Sequence, residues 1–177
     1  MRGANWAISA TAATAVLLTA CMARPWTEHK WPAWGFAASY PGAVVEQPGS
    51  PGGNGVPPLL FAVDGAGEDK DLSVAVVDLS AADTPDDAAM NAAVDRLAQG
   101  HPVQITYWAT GDQGQHMGRS ALIDDGAGIF RTVHVVVFQK RLYEVSGRAL
   151  GKSSPKVDKF LDSFRLIEPV GPAPASS

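Results

Sequence analysis

Two proline-led helical segments bracket a run of strand-like stretches, and that order narrows the folds open to this chain more than any other feature. The first segment follows Thr84-Pro85-Asp86-Asp87. Thr84 is expected to cap, Pro85 suits the first helical position, and the two aspartates complement the positive end of the helix dipole. Met90, Ala93, Val94 and Leu97 then recur at the i, i+3, i+4, i+7 spacing of one apolar face, and Gly100 supplies a left-handed stop. The second segment opens at Ser154-Pro155 and repeats such a face through Val157, Phe160, Leu161 and Phe164. Both helices are one-sided, so each must cover its stripe, and a twisted antiparallel sheet is the economical partner.

The strands for that sheet are legible as short β-branched and aromatic runs. They are expected at residues 33–40, 59–63, 72–79, 103–109, 115–123, 129–138 and 141–147. Turn signals at Gly111-Asp112-Gln113-Gly114 and Asp125-Gly126 make the later strands antiparallel neighbours. Gln139-Lys140 is an awkward turn, since neither residue favours positive φ. Residues 46–58 are rich in Pro and Gly and read as a loop. The acidic connection at 64–71 reads as a solvated hairpin turn, because its order does not fit a calcium-binding loop. The expected fold class is therefore α+β, one domain over residues 34–167 with an antiparallel sheet of about six or seven strands flanked by two helices.

Residues 1–20 have another character. Arg2 precedes an uncharged stretch at 4–20 that is diluted by Ala and Thr and is shorter than the roughly 20 strongly apolar residues of a spanning helix. It reads as a signal peptide, and its end, Leu18-Thr19-Ala20-Cys21, resembles a bacterial lipobox. That resemblance implies cleavage before Cys21, acylation of its sulfur, and anchoring to a membrane through the acyl chains. Cys21 is the only cysteine, so an intramolecular disulfide and a thiolate metal cluster are both excluded. Met22 stands where an aspartate would favour the inner membrane. The expected address is the periplasmic side of the outer membrane, with the outer face of the plasma membrane as the alternative.

The segment at 21–33, with Pro25, Pro32, Trp26 and Trp31, reads as an extended tether, and at least one tryptophan is expected to pack on the domain. Residues 168–177 read as a disordered tail. Without Arg2, the 14 basic residues fall to 13 against 18 acidic ones, a net charge of −5. No basic block interrupts that balance, which argues against a nucleic-acid partner, and none is expected. Lys152, Lys156 and Lys159 read as a solvated helix face.

Several phrases, Trp34 to Gly42 (WGFAASYPG), Leu142-Tyr143 and Phe160 to Leu166 (FLDSFRL), resemble the PsbP/Mog-like α/β/α sandwich family. The resemblance spans about residues 34–167 and departs at the Pro/Gly loop and at Gln139-Lys140. It implies a sandwich fold and a binding or assembly role without a common catalytic centre, and it transfers no ligand residue.

The chain shows little catalytic equipment. His116 and His134 are the only metal candidates. A three-residue hairpin loop between their strands would put both on one sheet face, and a two-residue loop would put them on opposite faces. A zinc site would still need a third ligand. Ser146-Gly147 lacks the first glycine of a nucleophile elbow. Asp86-Asp87 and Asp124-Asp125 are accounted for by capping and turn chemistry. Arg119, Arg131, Arg141 and Arg148 fall on adjacent strands as scattered surface charges, or else as a basic stripe. No cofactor is expected. By elimination, and from the expected membrane anchor, the expected role is a non-catalytic binding or assembly module of the envelope with a protein partner. A small metal-dependent or hydrolytic enzyme is the alternative, as is a carrier whose cavity would be lined by Phe130, Phe138 and Tyr143.

Overall fold

A seven-stranded antiparallel sheet, in the order β3-β4-β5-β9-β8-β7-β6, runs through the centre of the computed structural model, which describes residues 25–49, 58–63, 71–111 and 115–168. Its strands are β3 (Val44–Pro48), β4 (Leu59–Val63), β5 (Ser73–Asp78), β6 (Val103–Thr110), β7 (His116–Gly126), β8 (Ile129–Phe138) and β9 (Arg141–Leu150). A second, three-stranded sheet has the order β1-β2-β10, made of β1 (Thr27–Trp31), β2 (Phe36–Tyr40) and β10 (Arg165–Leu166). The expected fold class holds: two helices, α1 (Asp86–Ala98) and α2 (Pro155–Ser163), flank an antiparallel sheet.

The connectivity explains where α1 lies. β5 is central and pairs with β9, so the chain must travel to the far edge before β6 to β9 fold back as consecutive hairpins. Helix α1 makes that crossing over β8, β7 and β9. Its Ala89, Met90, Ala93 and Val94 bury against Ala121, Ile123, Val133, Val135 and Leu142. These strand residues alternate with those of the other face, as a pleated strand requires. On that other face Val74, Val76, Val136, Tyr143 and Val145 meet Val157, Phe160 and Leu161 of α2 and Phe36, Ala38 and Tyr40 of β2. Phe36, Phe61 and Phe160 are fully buried there, contributing roughly 2 to 3 kcal/mol each before the cost of ordering the chain. Gly147 permits the close seat of α2, since a Cβ at that position would lie 2.6 Å from Val157 Cγ1.

Helix α2 starts as the sequence predicts, with Ser154 Oγ accepting from the Val157 amide and Pro155 in the first turn. Helix α1 departs by one residue. Pro85 is itself the N-cap, with ψ 143°, and no side chain caps the helix, so Thr84 does not have the expected role. Asp86 and Asp87 alone complement the first-turn amides. At the other end Gln99 takes the left-handed conformation, φ 50°, ahead of Gly100.

Two further expectations change. Thr27–Trp31, read as part of a tether, forms β1 and pairs with β2 from Thr27↔Tyr40 to Trp31↔Phe36. The indole of Trp31 accounts for this: it stacks on Phe36 at 4.8 Å and donates from Nε1 to Glu46 Oε1 at 3.0 Å, joining the small sheet to β3. Residues 46–48, read as loop, complete β3 against β4. The expected strand at 33–40 is shorter in fact, because residues 32–35 form the β1–β2 turn.

Candidate functional site

Cys21 and the segment before it lie outside the described residues, as do 50–57, the acidic stretch 64–70 and 169–177. Among the described residues no helix is long and apolar enough to cross a membrane.

The hairpin that decides the histidine question uses neither of the two loops considered from sequence. Asp124 pairs with Phe130 and Gly126 with Ile129, with a bulge at Asp125 and a turn at Ala127-Gly128 where both residues have positive φ. The bulge adds a residue, so the register keeps the parity that puts His116 and His134 on one face. They do not converge. Ser120, four residues along β7 from His116, is the cross-strand partner of His134, which separates the two positions by about 13 Å at the rise of a strand. His116 packs edge-on to Phe138 at 4.8 Å, and His134 stacks on Trp108 at 4.3 Å. Trp108 reaches it across Gly118, its partner in the register, where a Cβ would meet the Val135 carbonyl oxygen at 2.3 Å. Burial lowers the His134 pKa to about 4, and its buried Nδ1 has no hydrogen-bond partner among the described residues. Among the described residues no three His, Cys, Asp or Glu side chains are grouped to hold a metal.

The other sequence candidates are dispersed or structurally engaged. Arg141 lies on the face opposite the remaining three arginines, donating to the Ala33 carbonyl at 2.9 Å and covering Trp34, so no four-arginine stripe exists. Arg119 pairs with Asp87 of α1 at 2.9 Å. Ser163 Oγ donates to the Phe160 carbonyl and accepts from the Ser39 amide, and Ser146 Oγ meets Ser73 Oγ at 3.1 Å. Asp124 accepts from the Gly126 amide, while Asp125 takes two arginines. Tyr143 is fully buried, whereas Phe130 and Phe138 sit at opposite ends of β8, so the three do not surround one cavity. Lys152 lies over Phe130 and Lys159 over Trp26, so neither is a freely solvated charge.

One surface remains without a structural explanation, and it was not singled out in the sequence. β6 ends the large sheet, and among the described residues nothing pairs with its outer side. Its side chains alternate, placing Val103, Ile105, Tyr107 and Ala109 on the α1 side, but α1 covers β7 to β9 and stops short. Ile105 is 48% exposed, Tyr107 75% and Met117, beside Ala109 on β7, 55%. The four sheet edges differ in kind. β1 carries Glu28 and Lys30, β3 carries Glu46 and ends in Pro48, and β10 is two residues long. Charge, proline and brevity are the usual protections of an edge. β6 has eight residues, VQITYWAT, with no charge and no proline.

No protein-family model matches the chain, and a search of curated proteins finds no match either. Among solved structures it is similar to the solution structure of cyanobacterial PsbP (CyanoP) from Synechocystis sp. PCC 6803, with 15% identity and a TM-score of 0.44 over 81% of this chain and 93% of that one.

Proposed function

We propose that the chain is an exported lipoprotein, held by acyl chains on Cys21 to the periplasmic side of the outer membrane, that serves as a non-catalytic docking module for an envelope protein. The observation that carries the docking role is the unprotected β6 edge. An eight-residue neutral strand with Ile105, Tyr107 and Met117 exposed beside it is suited to an uncharged, extended segment of a partner that adds as a further strand. Main-chain bonds would supply affinity, and the alternate side chains Ile105 and Tyr107 would supply selectivity. The anchor is supported by Leu18-Thr19-Ala20-Cys21 and by the absence of any second cysteine.

Photo-crosslinking in the native envelope tests the docking reading. A crosslinker at Ile105 or Tyr107 is expected to capture one protein, one at Gln47 on the opposite edge is not, and Thr106→Lys is expected to abolish the adduct. Equal capture from both edges, or adducts only with a second copy of this chain, would remove the partner reading. The anchor has its own test: a Cys21→Ser variant that remained acyl-labelled and membrane-bound would end it.

A further inference from the structure

We propose that the concavity between β5, β8 and β9 beyond the C-terminal end of α1 binds a small oxyanion, the carboxylate or phosphate group of a solute. Its walls are Asp71, Ser73, Arg131, Ser146 and Arg148, and its volume is about 230 Å³. That is below the roughly 300 to 1,000 Å³ of sites for larger ligands, so it suits a single ionic group.

Arg131 and Arg148 are direct cross-strand partners. Like charges placed so are destabilising, and a chain that keeps them needs an anion between them. The bulge in β7 supplies one. Asp125 Oδ2 accepts from Arg131 Nη2 and from Arg148 Nε, both at 2.9 Å, and the aspartate side chain is only 4% exposed. The one carboxylate of Asp125 is shared by both guanidiniums, and Asp71, also in the wall, balances the second positive charge without a hydrogen bond to either arginine among the described residues. Arg131 also reaches the Leu97 carbonyl at 3.4 Å, which holds its plane. Arg148 gives Asp125 only its Nε–H and is 40% exposed, so among the described residues its Nη hydrogens are not taken up.

The hydroxyls complete the donor set. Ser73 and Ser146 face each other across β5 and β9 with Oγ atoms 3.1 Å apart. One hydroxyl donates to the other, which leaves the second with a hydrogen of its own. An oxyanion placed here takes guanidinium and hydroxyl hydrogens together, a charge-assisted geometry. Asp71 in the wall and the negative end of α1 oppose it, so the affinity expected is in the millimolar range, about 4 kcal/mol at the standard state.

The full-length protein titrated with inorganic phosphate, and separately with acetate, at an ionic strength held constant with chloride, tests the site. Saturable shifts of the Arg131 and Arg148 Nε–H resonances are expected, and the tighter anion identifies the group recognised. Arg148→Gln is expected to weaken binding about tenfold, Asp71→Asn to tighten it, and Arg119→Gln to leave it unchanged. Because Arg148→Gln also exposes Asp125 to a lost partner, Ser73→Ala with Ser146→Ala is the second probe, keeping every ion pair while weakening binding several-fold. Non-saturating shifts with either anion, or unaltered saturation in both altered proteins, would overturn the proposal.

Discussion

Gln139 and Lys140 both take left-handed backbone conformations, with φ 48° and 60°, so that Phe138 can face Arg141 across a two-residue turn. Residues with a Cβ are strained there, and the mirror-image turn favours glycine at its second position. The chain retains the turn because β8 and β9 pair over ten residues and because the Lys140 carbonyl accepts from the Leu79 amide at 2.8 Å. Lys140→Gly keeps that carbonyl and relieves the strain. It is expected to raise stability by about 1 kcal/mol, seen as a higher denaturant midpoint with unchanged slope. Gln139→Gly should gain less, since Gln139 Nε2 donates to Glu168 at 2.8 Å. The sequence shows that this turn is costly, but not that long-range pairing outweighs the cost.

At the scale of elements, α1 is held to the sheet by an ion pair as well as by its apolar stripe. Glu144 lies on the α1 face of β9 with 4% of its side chain exposed, and Arg96 in the last turn of α1 reaches it. Burial raises the Glu144 pKa, and the hydrogen bond from Arg96 works against that rise. Removing the arginine leaves a buried carboxylate alone, whereas removing the carboxylate leaves an arginine already 40% exposed to water. Arg96→Leu is therefore expected to destabilise by about 2 to 3 kcal/mol, while Glu144→Leu should fall within about 1 kcal/mol of the parent. Urea unfolding of both variants checks the asymmetry. The helices were largely legible, because Ser154, Pro155 and the apolar stripes are local signals. β1 was not, because its charged residues and flanking prolines read as linker until β2 and the partly buried Trp31 indole give it a partner. β6 was legible as a strand but not as an exposed one, since which strands α1 covers is set by the crossing from β5 and not by residues 103–110.

For the molecule as a whole, the buried imidazole of His134 ties global stability to pH. The sequence raised His134 as a possible ligand, because alternation alone could not say what would lie above it; the structure places Trp108 there, over Gly118. In the folded protein burial holds the His134 pKa near 4, while in the unfolded chain it returns to about 6.5. Between those values the unfolded state binds the proton and the folded state does not, so stability rises with pH. The contribution is fully present above pH 6.5 and is lost as pH falls toward 4, with a total on the order of 3 kcal/mol. Glu144 acts in the opposite sense, because its raised pKa makes the folded state the better proton acceptor just above the ordinary carboxylate range. Comparing the parent with His134→Phe cancels the Glu144 contribution and keeps an aromatic ring against Trp108. Denaturant unfolding at pH 7.5, 6, 5 and 4 is expected to show the parent losing stability relative to the variant throughout the acid range. A difference between the two proteins that stayed constant over that range would mean that His134 titrates in the folded state as it does in water, and that the stack with Trp108 opens readily.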